Sequence, residues 1–297
     1  MSLVYLNGQY MSSEEATISP LDRGFLFGDS IYEVVPIFDG KALASAEHYQ
    51  RLTRSLNNIN FTNPLSEDDW QTIIEKLSDS REDNSFMVYV QITRGAQAGR
   101  AHHIPENITP TIFATTFDFP PRVWEEKGLS AITYEDTRWL GCTTKTTNLL
   151  PNVLAKSEAK NQNAHDAIFV RDGYALEGTS TNLFVITEGK IITPPVNENI
   201  LPGITRQLTI KAINQCGIPL EETKIPLKAL ENADEIWLTS STQDIIPVTQ
   251  LNNRPVGDGK IGKVWRRVNN AFQTDKETDK DDKQSRKHFD ISMRISD

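Results

Sequence analysis

The chain has only two cysteines among 297 residues, Cys142 and Cys216. That is too few for a disulfide framework or a cysteine-based metal centre. No bound metal is expected, and a reducing compartment, the cytoplasm, is the expected location. Long apolar runs are missing as well. No stretch approaches the ~20 residues that cross a bilayer. The opening Met-Ser-Leu-Val-Tyr-Leu-Asn-Gly lacks the charged and then apolar regions of a signal peptide. It reads instead as a strand entering an Asn-Gly turn. Basic excess is absent too. With 31 Lys and Arg against 40 Asp and Glu, the formal net charge is -9. This argues against the basic surface that non-specific nucleic-acid binding uses. Small molecules are the expected partners, with no nucleic acid and no membrane.

What is present fits a folded, two-part chain. The composition is 38% hydrophobic and 24% charged, within the globular range. Ala46, Tyr49, Leu52, Leu56 and Ile59 recur at helical spacing. Ser66 with Asp69 three residues on is a capping-box variant. It opens a helix carrying Trp70, Ile73, Ile74 and Leu77. Residues 86–93 and 111–117 are β-rich runs. Further strands are expected at 167–170, 183–186, 190–193 and 235–239, and helices over 149–160, 204–216 and 261–272. Pro120 and Pro121 interrupt any ladder and stiffen the crossing. These elements predict an α+β or mixed α/β protein of two domains: a small one over 1–119 and a larger one over 120–273. Residues 275–287 contain no apolar side chain, so 274–297 reads as a charged, mobile tail.

Two residues suggest chemistry. Lys145 lies in Cys142-Thr143-Thr144-Lys145-Thr146-Thr147-Asn148, and Glu177 in Leu176-Glu177-Gly178-Thr179. A lysine amine forms a Schiff base with an aldehyde cofactor. A carboxylate keeps a pyridine nitrogen protonated, which turns such a cofactor into an electron sink. The pair points to pyridoxal 5'-phosphate and amino-acid chemistry. Such a cofactor needs an anion site. Gly203 allows close backbone approach where a helix opens, and the amides of Ile204 and Thr205 lie at its positive end. An ordinary glycine cap explains the same residues. Thr239, Ser240, Ser241 and Thr242, four consecutive hydroxyls at a strand end, fit either a phosphate ring or a solvated turn. Arg51 offers a permanent charge, as a surface arginine also does. Singly, Lys145 reads as a surface lysine and Glu177 as a loop charge; their joint occurrence argues for a site.

The constellation resembles a known family. Asp22-Arg23-Gly24-Phe25 and Gly28-Asp29-Ser30-Ile31-Tyr32-Glu33 are similar to the amino-terminal signature of fold-type IV pyridoxal-phosphate enzymes. Lys145, Glu177 to Asn182 and Leu201 to Arg206 complete it in the family's order and spacing, over residues 3–272. The family includes D-amino-acid aminotransferases, branched-chain aminotransferases and aminodeoxychorismate lyases. The resemblance implies two α+β domains with the cofactor in the cleft between them, in a homodimer. It implies Lys145 as the Schiff-base lysine and proton shuttle, and Glu177 as partner of the ring nitrogen. Arg51, Ile204, Thr205 and a hydroxyl among Ser240 to Thr242 would hold the phosphate.

Within the family, Arg100-Ala101-His102 looks like the D-amino-acid branch. There Tyr32, Arg100 and His102 would hold the substrate α-carboxylate, with the guanidinium binding in a fork. His103 is the neighbouring alternative to His102. Arg138 would hydrogen-bond behind the cofactor, and His48 and Asp166 would join a polar network with Glu177. The implied activity moves an amino group from a D-amino acid, D-alanine, to a 2-oxo acid, 2-oxoglutarate, by a ping-pong mechanism. The rivals are a branched-chain L-amino-acid aminotransferase, an aminodeoxychorismate lyase, and a non-catalytic binding protein with an acidic interaction tail.

Overall fold

The computed structural model describes residues 2–279. Two sheets, each with its own core, divide them. The first is antiparallel. It contains β1 (Leu3–Leu6), β2 (Gln9–Ser12), β3 (Ser30–Phe38), β4 (Lys41–Ala42), β5 (Phe86–Thr93) and β6 (Thr111–Phe117), in the order β2-β1-β6-β5-β3-β4. A short helix α1 (Arg23–Phe27) precedes β3. Two longer helices, α2 (Ser45–Asn58) and α3 (Glu67–Asp79), cover one face. At the start of α3 the Ser66 hydroxyl accepts from the Asp69 amide and the Asp69 carboxylate accepts from the Ser66 amide, a complete capping box. Leu52, Leu56, Trp70, Ile73 and Leu77 then pack against Val35, Val88, Val90 and Ile92. Each such side chain contributes about 1.5–3 kcal/mol when buried.

The alternation along β3 decides which of its side chains the helices cover. Ile31, Glu33 and Val35 are fully buried beneath them. Tyr32 and Val34 therefore point to the opposite face, as a period of two requires.

The second sheet holds β7 (Leu129–Glu135), β8 (Asp166–Arg171), β9 (Tyr174–Gly178), β10 (Asn182–Thr187), β11 (Lys190–Thr193), β12 (Leu220–Glu222), β13 (Ile225–Pro226), β14 (Glu235–Ser240), β15 (Asp244–Leu251) and β16 (Arg254–Pro255). Its order is β12-β11-β10-β14-β15-β7-β8-β9-β13, with β16 on β15. Glu177 of β9 pairs again with Asn182 of β10, so the sheet curls back on itself. Helix α4 (Leu150–Asn161) packs Ala155 and Ala159 on Ile132 and Phe169. Helices α5 (Ile204–Gln215) and α7 (Lys263–Asp279) bury Ile213, Trp265, Val268 and Phe272 against Trp237 and Leu238. The short α6 (Leu227–Glu231) follows β13. This is a two-domain α+β fold.

The long strands β3, β7 and β15 were not expected from the sequence. Pro36 and Pro247 lie inside β3 and β15 and argue against strands when read locally. Helix α7 also runs past the expected stop at Phe272, to Asp279. Its extension is anchored: the Lys276 amine reaches both oxygens of buried Asp244, at 3.1 and 2.8 Å. The first residues assigned to a mobile tail are thus helical, and residues 280–297 lie outside the described residues. Among the described residues, no helix is long and apolar enough to cross a membrane.

Candidate active site

Lys145 sits on the connection between β7 and α4, and strand β3 holds that connection in place. The Tyr32 amide donates to the Lys145 carbonyl at 3.1 Å, and the Lys145 amide donates to the Ser55 hydroxyl at 3.2 Å. The Lys145 amine lies 4.1 Å from the centroid of the Tyr32 ring. It faces a cavity of about 470 Å³ lined by Tyr32, Arg138, Lys145 and the segment from Glu177 to Asn182. A smaller cavity of about 170 Å³ shares Tyr32, Lys145, Ser180, Asn182 and Leu201. Together they form one cleft with two chemically different ends, and the lysine stands between them.

The first end is a buried carboxylate. Glu177 accepts from the Arg138 guanidinium, from the Asn182 amide nitrogen at 3.1 Å and from the Leu201 backbone at 3.0 Å. Burial nevertheless pushes its carboxyl up to about 7, against the pull of Arg138 and with Asp136 adding repulsion. Burial also opposes the Arg138 charge, but the hydrogen bond to Asp136 and the nearby Glu177 raise its pKa overall. Asp136 fixes Arg138 through contacts of 2.9 and 3.0 Å and is shared with Arg171 at 3.0 Å. A cation placed opposite Glu177 would offset the desolvation of its charge.

The second end is built for an anion. Helix α5 opens at Gly203, so the Ile204 and Thr205 amides lie at its positive end. A Cβ on Gly203 would come within 1.9 Å of the Asn182 side-chain oxygen. The glycine is thus required by the residue that also holds Glu177. Ser240, Ser241 and Thr242 line the same cavity. Beside them the buried Thr239 hydroxyl has no hydrogen-bond partner among the described residues, and a buried hydroxyl wants one. Arg51 is present but not free. Its guanidinium grips buried Glu33 at 2.7 and 2.8 Å and donates to the Pro202 carbonyl at 3.3 Å. Burial opposes the Glu33 charge, yet Arg51 and His48 hold its carboxyl far below the usual range. Burial pushes the His48 imidazole down, against the pull of Glu33 2.8 Å away. The net charge around Arg51 is therefore near zero, and amides and hydroxyls dominate this end.

Most of the residues read from the sequence meet in this cleft: Tyr32, Lys145, Glu177, Arg51, Ile204, Thr205 and Ser240 to Thr242. Arg138 lines the cavity and binds Glu177. Arg100 and His102 do not line it. Both are exposed on the loop after β5, packed on the Phe27 ring at 5.0 and 5.4 Å. His48 and Asp166 also depart from expectation. His48 joins Glu33 and Arg51 instead of Glu177, because α2 places His48 and Arg51 against Glu33 of β3. Asp166 accepts from Thr179 at 2.5 Å and fastens the turn after Glu177. The sequence reading missed Glu33 and Asp136. Glu33 carried a signal, since it closes the motif that contains Tyr32. Asp136 lies two residues before its partner Arg138 and also meets Arg171 of the neighbouring strand β8.

The cleft suits a cofactor with a phosphate at one end and a cationic ring nitrogen at the other. The unpartnered Thr239 hydroxyl and the glycine cradle fit the former, and Glu177 fits the latter. Comparison with known proteins agrees. The profile of the family described as amino-transferase class IV matches residues 30–251. A D-alanine aminotransferase of Staphylococcus aureus (strain MSSA476) is 38% identical over 275 residues, 92% of this chain and 97% of that one. A D-alanine aminotransferase of Bacillus licheniformis is 37% identical over 271 residues, 91% of this chain and 95% of that one. A branched-chain amino acid aminotransferase from Escherichia coli superposes with a TM-score of 0.85 at 25% identity, covering 92% of this chain and 93% of that one. The motifs, the fold and the relatives converge, and the chain belongs to the class IV aminotransferases, enzymes that work with pyridoxal 5'-phosphate.

Proposed function

We propose that this aminotransferase moves the amino group of a D-amino acid, D-alanine first, to 2-oxoglutarate, giving pyruvate and D-glutamate in two half-reactions. The observation that carries the reading is the position of Lys145, between a buried carboxylate and an anion site in one cleft. The choice of D-amino acids rests on the 38% identity to proteins named D-alanine aminotransferase.

When bound, pyridoxal phosphate supplies an aldehyde carbon for amines and a sink for the electron pair left on Cα. The chain's residues do the rest. The Ile204 and Thr205 amides, Thr239, Ser240, Ser241, Thr242 and Arg51 hold the phosphate. Glu177, braced by Arg138, keeps a proton on the ring nitrogen. The Lys145 amine would be the group that holds the cofactor aldehyde, and, when not so engaged, the base positioned to accept and return a proton. Tyr32 lies under that amine and closes the face on which the proton moves.

Arg100 and His102 take part if a second copy of the chain covers the cleft. Their exposure leaves them free to reach a partner. Apolar surface around the cleft calls for cover: Phe25 is 78% exposed, and Leu150, which lines the cavity, is 68% exposed. We therefore read the protein as a homodimer in which each loop completes the partner's carboxylate trap with the partner's Tyr32.

The test is steady-state turnover with D-alanine and 2-oxoglutarate. Parallel double-reciprocal lines and equal yields of pyruvate and D-glutamate are expected. Turnover with L-leucine and none with D-alanine would make it a branched-chain enzyme. Pyruvate released without an amino acceptor would make it a lyase.

A further inference from the structure

The signature Asp22-Arg23-Gly24-Phe25 leaves a guanidinium with no place in the cleft. Arg23 is 4% exposed. Asp22 caps α1, accepting from the Gly24 amide at 2.7 Å, and binds the Thr111 hydroxyl of β6 at 2.6 Å. This fixes the helix to the first sheet. The Arg23 side chain then spreads under the loop after β5. One terminal nitrogen donates to the carbonyls of Ala101 and His103, at 2.8 and 3.2 Å, and to the Gln97 side chain at 3.2 Å. The other donates to the His102 carbonyl at 3.3 Å. The remaining Nε binds Asp29 at 2.8 Å, and Asp29 also takes Arg94 at 2.9 Å. Three consecutive carbonyls thus converge on one cation. Only a planar fork of five donors meets that demand.

The same loop carries Arg100 and His102. Their side chains rest on the Phe27 ring of α1, which Arg23 also touches at 4.9 Å. Besides these ties, the Gln97 side-chain amide donates to the Ala101 carbonyl within the loop at 3.0 Å. Gly99 adopts φ +77 with nothing near its Cβ position, and Ala98 to Arg100 are exposed. Such a segment opens easily unless its backbone is tied.

We propose that Arg23, oriented by Asp29, is a positioning residue that holds loop 97–103 in the shape that presents Arg100 and His102 as a preformed carboxylate trap. The inference rests on reading those two residues as the carboxylate-binding pair. It assigns the buried signature arginine to substrate selection and leaves cofactor binding to the cleft.

The test compares Arg23→Gln, Arg23→Lys and Arg100→Leu in the cofactor-loaded enzyme. Arg23→Gln strands no carboxylate, because Asp29 keeps Arg94. It should raise KM for D-alanine about tenfold, the effect of losing a charge-assisted hydrogen bond. The preference for D- over L-alanine should fall by a similar factor. The turnover number and cofactor retention should hold. Amide hydrogen exchange over 97–103 should speed up. Arg23→Lys keeps the charge but cannot bridge three carbonyls, so it should shift KM in the same direction. If Arg23→Gln does not fold, Gln97→Ala removes the bond from Arg23 and the bond to the Ala101 carbonyl without touching the core, and should raise KM in the same sense. A raised KM in Arg100→Leu with unchanged KM in the Arg23 and Gln97 variants overturns the inference and leaves the trap standing. Unchanged KM in Arg100→Leu overturns the trap itself, and the inference with it.

Discussion

Glu177 is a carboxyl denied water, and burial raises its pKa despite the Arg138 guanidinium beside it. Its pKa in the folded protein is pushed from 4.5 up to about 7. The folded chain therefore binds that proton more tightly than the unfolded chain. The resulting stability is fully present below about 4.5 and is lost as pH rises through about 7. In cofactor-free protein, thermal stability should fall across this window, and Glu177→Gln should flatten the fall. The difference between the two profiles should reach about 3 kcal/mol. Identical profiles would contradict the assignment. Bound pyridoxal phosphate should flatten the wild-type profile too, because a protonated ring nitrogen stabilises the carboxylate. Lys145 allows a different separation. Lys145→Ala should lower turnover by at least about 10³-fold, the scale of removing a general base that also carries the cofactor. Melting of the cofactor-free variant should match wild type, since the Lys145 amine makes no hydrogen bond or ion pair among the described residues. A variant that retains turnover would contradict the role of Lys145.

Between elements, the close approach of β10 to the start of α5 decides how the cofactor is held. Asn182 of β10 braces Glu177 and also blocks any side chain at Gly203. Gly203→Ala forces one of them to move, at about 1–3 kcal/mol. Cofactor affinity should fall about tenfold to a hundredfold, measurable by equilibrium dialysis. Unchanged affinity would place the phosphate elsewhere. This coupling could not be read from the sequence, because positions 182 and 203 meet only after the sheet curls. What was legible obeyed local rules. The strands over 86–93, 111–117 and 190–193 appear at those bounds, because alternation and β-branched residues specify them without help. The capping box of α3 was equally local. Strands β3 and β15 escaped because each contains a proline that the sheet tolerates in context. The site shows the same division. Lys145, Glu177 and the α5 loop stood out as motifs. The pairing of Arg51 with Glu33 is non-local, so Arg51 read as a free charge until β3 and α2 were seen together. Arg100 and His102 were visible as a motif, but their outward placement depends on Arg23 and the loop's path.

Across the whole molecule, α7 fastens the two sheets together. Asp244 of β15 binds Arg122 of the connecting segment at 2.8 Å, Gln273 at 3.1 Å and Lys276. The Lys276 amine also rests 3.3 Å from the ring centroid of Phe38 in the first sheet, which stacks on Phe119 at 4.9 Å. Lys276→Met should cost about 1–3 kcal/mol, because buried Asp244 keeps Arg122 but loses its nearest ammonium. A lower urea midpoint would register it; an unchanged midpoint would mean that the clasp contributes nothing. The cleft lies where the two sheets meet, so a loosened clasp should also weaken cofactor binding. The proposed second copy would act on the same scale. Subunits carrying Lys145→Ala, mixed with subunits carrying Arg100→Leu, should recover turnover at low D-alanine that neither has alone, because some mixed dimers would assemble one intact site. No recovery would place the trap within one chain. The most direct test of the account is a single-turnover spectrum of the cofactor-loaded protein. D-alanine without an oxo acid should convert the aldehyde form of the cofactor to its amine form and release one pyruvate per site, while L-alanine and L-leucine leave the spectrum unchanged. Conversion by an L-amino acid with no response to D-alanine would contradict it.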